Sequence, residues 1–171
     1  MEKVVLVDMR DNAIGLEEKM AAHEKALLHR AFSVFLYHGD KILLQKRASH
    51  KYHCGGLWTN TCCSHPRDGE LVKDAAIRRL KEEVAIDVLD LEEIHSFVYH
   101  YPFDNGLTEF EFDHILVGEY NGTYVSNPEE VDEMKWISMD ELLKDIQANP
   151  KAYTPWFIVA LMKVDEYLKS K

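Results

Sequence analysis

Within residues 70–85 the apolar residues Val72, Ala76, Leu80 and Val84 recur at every fourth position, with Ile77 beside them and charged residues around the rest. That period predicts an amphipathic helix with one face to bury. The segments around it have a different character. Residues 31–37 and 41–45 are β-rich runs about His38-Gly39-Asp40 and read as a hairpin. Residues 95–103 and 108–120 are aromatic-rich strand candidates flanking the turn signal Asp104-Asn105-Gly106. Strands interleaved with helices of this length predict an α/β layered domain with a mixed sheet.

The remaining segments fit that plan. Residues 4–7, VVLV, read as a strand, and residues 16–28 as a helix whose AAHEKALL stretch ends before His29. Ser138 with Glu141 has capping-box spacing, and Thr154 before Pro155 places an N-cap ahead of a proline at the first helical position. No repeat or low-complexity tract interrupts the chain, and one domain is expected over 1–171. At 171 residues, 46% of them hydrophobic, it is long enough to bury about two-thirds of its unfolded surface.

Thirty acidic against 20 basic residues give a net charge of −10, with no block of five like charges. This argues against nucleic acid or an anionic membrane as main partner, and leaves anionic small molecules only where basic residues or a metal gather locally. No apolar run approaches the roughly 20 residues a membrane helix needs. Residues 1–8 read as a short strand rather than a charged leader, so a cytoplasmic protein is expected. Cys54, Cys62 and Cys63 are odd in number, two of them adjacent, which suits a reducing compartment and leaves at least one thiol free.

Chemistry concentrates in the glycine-bearing loop HCGGLWTNTCCSHPRDG, where Cys63 stands two residues before His65. Cys62 and Cys63 are readable either as small buried hydrophobes or as reactive thiols. In an extended segment their side chains diverge, so at most one faces a site. His23, His29 and His65, beside Glu109 and Glu111, would make a mixed nitrogen and oxygen set suited to zinc, manganese or magnesium. His23 and His29, six residues apart, cannot share a helical face, so a break between them is required. Glu109, Glu111 and Asp113 share one face of their strand because side chains alternate. His38, His50, His53, His95, His100 and His114 are read as ordinary surface or core residues. Lys19, Arg47, Lys51 and Arg79 would form a phosphate cradle only if the fold converged them.

From AAHEKALLHRAFS through WTNTCCSHP, the 70–85 helix, Tyr99 with the E-F-E stretch, and TPWF, the chain resembles the type I isopentenyl-diphosphate isomerases, a branch of the Nudix superfamily. The resemblance spans nearly the whole chain in the family's order. Against the Nudix signature, Ser64 stands at the first glycine, Glu70 and Arg78 match, and Arg79 replaces the first glutamate of the metal-binding cluster. Glu82 and Glu83 match, and Ala85 replaces the second glycine. An arginine among those carboxylates inverts the local charge and speaks against diphosphate hydrolysis.

The resemblance implies an α/β fold, a Nudix-like α/β/α sandwich with a mixed β-sheet, and interconversion of isopentenyl and dimethylallyl diphosphate. It implies that His23, His29, His65, Glu109 and Glu111 hold one divalent ion, Mg²⁺, Mn²⁺ or Zn²⁺, and that Glu83 helps hold a Mg²⁺ on the diphosphate. Cys63 and Glu111 would be the acid/base pair, assisted by Tyr99, with Trp156 facing the hydrocarbon and Lys19, Arg47, Lys51 and Arg79 contacting the diphosphate. A thiol near those basic groups can ionise. The competing expectations are a Nudix hydrolase of a nucleoside diphosphate derivative, which calls for a complete carboxylate cluster on the 70–85 helix, and a non-enzymatic binding module, which needs no thiol.

Overall fold

The computed structural model describes residues 2–51, 53–88 and 90–171; Met1, the first residue of the segment read as an N-terminal strand, lies outside them. Strands β1 (Lys3–Val7) and β2 (Ala13–Glu18) lead to a short helix α1 (Lys19–Glu24), followed by β3 (His29–His38), β4 (Lys41–Arg47), β5 (Trp58–Thr59) and β6 (Cys62–Ser64). Then come α2 (Val72–Val84), β7 (Glu92–Pro102), β8 (Thr108–Glu119), β9 (Val131–Ser138), α3 (Met139–Ala148) and α4 (Pro155–Lys169).

The sheet is mixed. β3 pairs antiparallel with β6 and parallel with β8, β8 pairs antiparallel with β7, and β4 pairs antiparallel with β9 and β5. Both faces of β3 are covered, as a parallel pairing demands. Phe32, Val34 and Leu36 pack with Ala76, Leu80 and Val84 of α2 on one side, whereas Phe35 and Tyr37 pack with Leu142 of α3 and Phe157 and Leu161 of α4 on the other. Period-two alternation in the strand thus meets a helix on each face, giving the α/β/α sandwich.

Several sequence expectations change. The segment expected to be helical over 16–28 is divided: its start joins β2, paired residue for residue with β1, and only Lys19–Glu24 is helical. The edge of β1 offers unpaired backbone groups that the Ala13–Glu18 backbone satisfies, and that pairing outweighs weak helix propensity around Gly15. The helix cannot continue past Lys25 because Ala26 turns left-handed, at φ 54°. The 31–45 hairpin closes at Tyr37–Ile42 and His38–Lys41 only, after which β3 and β4 separate to take other partners. Ser138 caps α3, its hydroxyl accepting from the Glu141 N–H at 3.3 Å. Thr154 does not cap α4 with its side chain, because its hydroxyl is bonded to that of Thr59 at 2.8 Å.

Helix α2 ends at Ala85, which is left-handed at φ 55° with its N–H bonded back to the carbonyls of Leu80 and Lys81. Glycine adopts that conformation without the Cβ penalty. Ala85→Gly should therefore raise stability by about 1 kcal/mol. Leu80→Ala, at a fully buried position on the same helix, should lower it by about 2–5 kcal/mol. Urea unfolding of both variants checks the pair.

Candidate active site

The site is assembled by strand register. Parallel pairing sets His29 of β3 against Glu111 of β8, antiparallel pairing sets Ser33 against Cys63 of β6, and on the far side of β8 Tyr99 pairs with Glu111 and Tyr101 with Glu109. Alternation along β8 buries Glu109, Glu111 and Asp113 together. The break between His23 and His29 that their spacing requires is supplied by the end of α1 and the turn at Ala26.

Ligand atoms of His23, His29, His65 and Glu111, all four buried, lie within 4.8 Å of one another. That is close to the span across an octahedral ion with bonds of about 2.1 Å. His23 Nδ1 is 2.6 Å from the Lys19 carbonyl and His29 Nδ1 is 2.9 Å from that of Leu27. A carbonyl only accepts, so each Nδ1 carries the proton and each Nε2 presents a lone pair. Those Nε2 atoms face carboxylate oxygens, His23 to Glu109 Oε1 at 3.4 Å and His29 to Glu111 Oε2 at 3.3 Å. His65 Nε2 also meets Glu111 Oε2, at 2.9 Å. Imidazole nitrogens turned towards buried carboxylates need a proton or a cation between them, and nitrogen and oxygen donors of this kind fit a divalent metal. Glu109 stands beside this group, its buried Oε2 without a hydrogen-bond partner among the described residues.

Burial, and next the charge of Glu109, lifts the Glu111 carboxyl to about 7. Burial also works to raise Glu109, but its contacts with His23 and His53 prevail and hold it well below the usual carboxylate range. Asp113, accepting a 2.8 Å hydrogen bond from the Ser33 hydroxyl, is pushed upward by burial and then by Glu111.

The adjacent cysteines diverge. Cys62 is fully buried in the core against α2, with its Sγ 3.5 Å from Glu83, whereas Cys63 lines the cavity and packs towards the α3 and α4 side. Burial drives the Cys63 thiol up to about 12, and Arg47, 4.0 Å from the sulfur, opposes this only in part. The basic groups nearby do not ionise this thiol: desolvation outweighs the cation, and Cys63 carries its proton at neutral pH.

Lys19, Arg47, Lys51 and Arg79 all line the same cavity as Cys63, as do His65, Glu109, Glu111 and Glu83. Trp156, in the first turn of α4 and 4% exposed, forms part of its wall, with the Arg47 guanidinium 5.4 Å from the ring. His23 and His29 stand behind the lining. Tyr99 lies in the sheet beside Glu111, its hydroxyl buried without a hydrogen-bond partner and its pKa raised, first by burial. Glu83 is outside the histidine cluster, held by Arg79 Nη2 at 2.9 Å and Gln45 Nε2 at 3.1 Å. Arg79 also reaches Glu130 at 3.4 Å, and Lys51 pairs with Glu130.

One residue read as ordinary from its sequence belongs to the site. His53 is 6% exposed, lines the cavity, contacts Glu109 Oε1 through Nε2 and lies tilted against Trp156 at 5.7 Å between ring centres. No spacing signal joins it to Glu109. The available hint was its position at the start of the glycine-bearing loop that carries Cys63 and His65 into the cavity.

The sequence profile of the NUDIX domain matches residues 27–157. An "Isopentenyl-diphosphate Delta-isomerase 2" of Aromatoleum aromaticum is 47% identical over 164 residues, 95% of this chain and 86% of the relative. An "Isopentenyl-diphosphate Delta-isomerase" of Photobacterium profundum is 48% identical over 178 aligned residues, 99% of this chain and 98% of the relative. In fold, a crystal structure from Deinococcus radiodurans superposes with TM-score 0.74 at 19% identity, covering 99% of this chain and 98% of that one. A MutT NUDIX hydrolase of Burkholderia pseudomallei gives TM-score 0.66 at 19% identity, over 80% of this chain and 98% of that one. The fold and the matched domain are those of the Nudix superfamily, whose members use divalent metal. Within it, the chain belongs to the type I isopentenyl-diphosphate isomerase family. Among the described residues, no helix is long and apolar enough to cross a membrane.

If the cluster holds an ion, His29→Ala should lower divalent-metal content well below that of the wild type in elemental analysis. Incubation with a chelator should bring the wild type to the same level, with circular dichroism showing both still folded.

Proposed function

We propose that the chain, acting as one Nudix-like domain over 1–171, interconverts isopentenyl diphosphate and dimethylallyl diphosphate. The observation that carries the proposal is the convergence of a proton-bearing thiol, a buried carboxyl, an indole face and four cations on one cavity in a protein of net charge −10. The relatives' names supply the substrate.

The two isomers differ in the position of one C=C bond, so the reaction adds a proton to one carbon of the allylic system and removes one from another. Protonating an unactivated alkene makes a tertiary carbocation and needs a strong acid shielded from water. Cys63 and Glu111 form the acid/base pair: one delivers the proton, the other accepts the proton that leaves, and no net proton is consumed. Tyr99, beside Glu111, supports the transfer. Trp156 turns a π-face to the cation, an attraction of roughly 2 kcal/mol or more in a dry site. Lys19, Arg47, Lys51 and Arg79 bind the diphosphate.

His23, His29, His65, Glu109 and Glu111 are the proposed ligands of one divalent ion, Mg²⁺, Mn²⁺ or Zn²⁺, and Glu83 is the proposed protein contact of a Mg²⁺ that accompanies the diphosphate. Such an ion, when bound, would fix the Glu111 carboxylate and tune its proton affinity. The need for a free thiol suits a reducing compartment, and we place the enzyme in the cytoplasm, with no nucleic acid or membrane partner.

The competing hydrolase reading meets a specific obstacle. A guanidinium stands where the hydrolytic helix needs a carboxylate, and it neutralises Glu83. Incubating the protein with isopentenyl diphosphate and Mg²⁺ separates the two readings: allylic product without released phosphate supports isomerisation, and phosphate release would overturn it.

Cys63→Ala should lower kcat by about 10² to 10⁴, while Cys62→Ala, on the opposite face of the strand, retains most of the rate. Equal rates in two folded variants would remove Cys63 from the chemistry. Trp156→Phe should keep more kcat than Trp156→Leu, because only an aromatic ring stabilises positive charge as it develops. If Trp156 merely packs, both variants should instead lower the melting temperature and have the same kcat.

A further inference from the structure

The loop between β4 and β5 delivers His53 on a constrained backbone. The Arg47 N–H donates to the Leu57 carbonyl at 2.8 Å, and the Gly56 N–H donates back to the Arg47 carbonyl at 2.9 Å, closing the loop at its neck. Inside it, Arg47 Nη2 donates to the His53 carbonyl at 3.3 Å. Gly55 passes so close to Ser49 that a Cβ would stand 2.6 Å from its carbonyl oxygen, so this turn admits only glycine. The imidazole that results is boxed in by aromatic rings, 5.1 Å from Phe103, 5.7 Å from Trp156 and 5.7 Å from His23 between centres. Within this box its Nε2 contacts Glu109 Oε1, and Glu109 Oε2 is buried without a hydrogen-bond partner among the described residues.

A carboxylate can present either oxygen, or both, to an ion. One that is held through Oε1 presents Oε2 in a single orientation, and partners that orient a metal-binding side chain typically matter about 10- to 100-fold in metal affinity. We propose that His53 is a positioning residue for the divalent-ion site: by holding Oε1 it fixes the orientation of the Glu109 carboxylate beside His23, His29, His65 and Glu111, and so sets how tightly that group takes up an ion. The role rests on the reading of those residues as an ion site. His53 acts through Glu109, and its ring also contacts the indole of Trp156.

The test is Mn²⁺ titration of the wild type, His53→Phe and His53→Gln, following free Mn²⁺ by electron paramagnetic resonance and folding by circular dichroism. Phenylalanine keeps the ring packing but has no donor; glutamine restores an N–H that can reach Oε1. The expected result is Mn²⁺ affinity about 10- to 100-fold weaker in His53→Phe, with a melting temperature near that of the wild type, and most of the affinity recovered in His53→Gln. Affinity within twofold of wild type in a folded His53→Phe would overturn the proposal. Should His53→Phe not fold, His53→Leu, which also lacks a donor, takes its place: a tenfold loss supports the role and affinity within twofold of wild type overturns it. In a Glu109→Gln background the phenylalanine substitution should have little further effect; an undiminished loss there would show that His53 acts on the ion directly and overturn the positioning role. If the wild type takes up no Mn²⁺, the ion-site reading itself falls, and this role falls with it.

Discussion

The parallel pairing of β3 with β8 is the constraint on which the site depends. Its register runs unbroken from His29–Glu111 to Tyr37–Glu119. Because side chains alternate, a slip of one residue would turn Glu109, Glu111 and Asp113 away from His23, His29 and His65 and send three acids into the opposite face. Register is strongly specified where both faces are buried, and here Phe32, Val34 and Leu36 are committed to α2 while Phe35 and Tyr37 are committed to α3 and α4. The hydrophobic layers therefore act as the alignment device for the polar ones. Burial that costs each carboxylate solvation is sustained by the packing on either side of the sheet.

What could be read from the chain beforehand follows from how local each signal is. Helix α2 is legible because its period of apolar residues needs no partner to be recognised. The common face of Glu109, Glu111 and Asp113 is legible because alternation is a property of the strand alone. Strands β5 and β6 are two and three residues long and exist only through their pairing with β4 and β3. β9 carries Asp132, Glu133 and Lys135, which obscure its alternation, yet it pairs with β4 along its length. The split of the 16–28 segment was hidden for the same reason, since the edge of β1 decides it. His53 was missed because its link to Glu109 is made by a loop closure, which leaves no spacing in the sequence.

Charge in the site is arranged as two opposed sets within one cavity. Carboxylates and imidazoles gather around the His23, His29, His65 and Glu111 group, while Lys19, Arg47, Lys51 and Arg79 line the other part of the wall. Arg79 joins both themes. It occupies a position on the α2 helix where a hydrolytic Nudix site needs an acid, and its guanidinium bonds Glu83 and reaches Glu130. The same scaffold that elsewhere presents carboxylates to a diphosphate here presents a cation. Global net charge of −10 does not oppose this, because screened surface charges a Debye length of about 8–10 Å away count for little beside direct contacts.

Arg47 shows how binding and chemistry are coupled. The one guanidinium lies 4.0 Å from the Cys63 sulfur and 5.4 Å from the Trp156 ring, and also bonds the backbone of His53. Without substrate it occupies part of the indole's electrostatic field and favours the thiolate, although burial still leaves Cys63 protonated. In the proposed reaction the diphosphate engages this cation. An anion beside Arg47 weakens its pull on both neighbours, keeping Cys63 in its thiol form and leaving the indole face more attractive to a carbocation. The state of Cys63 and the field at the indole face would then be set by the same binding event, which ties the strongest polar interaction of the substrate to the protection of its most reactive intermediate.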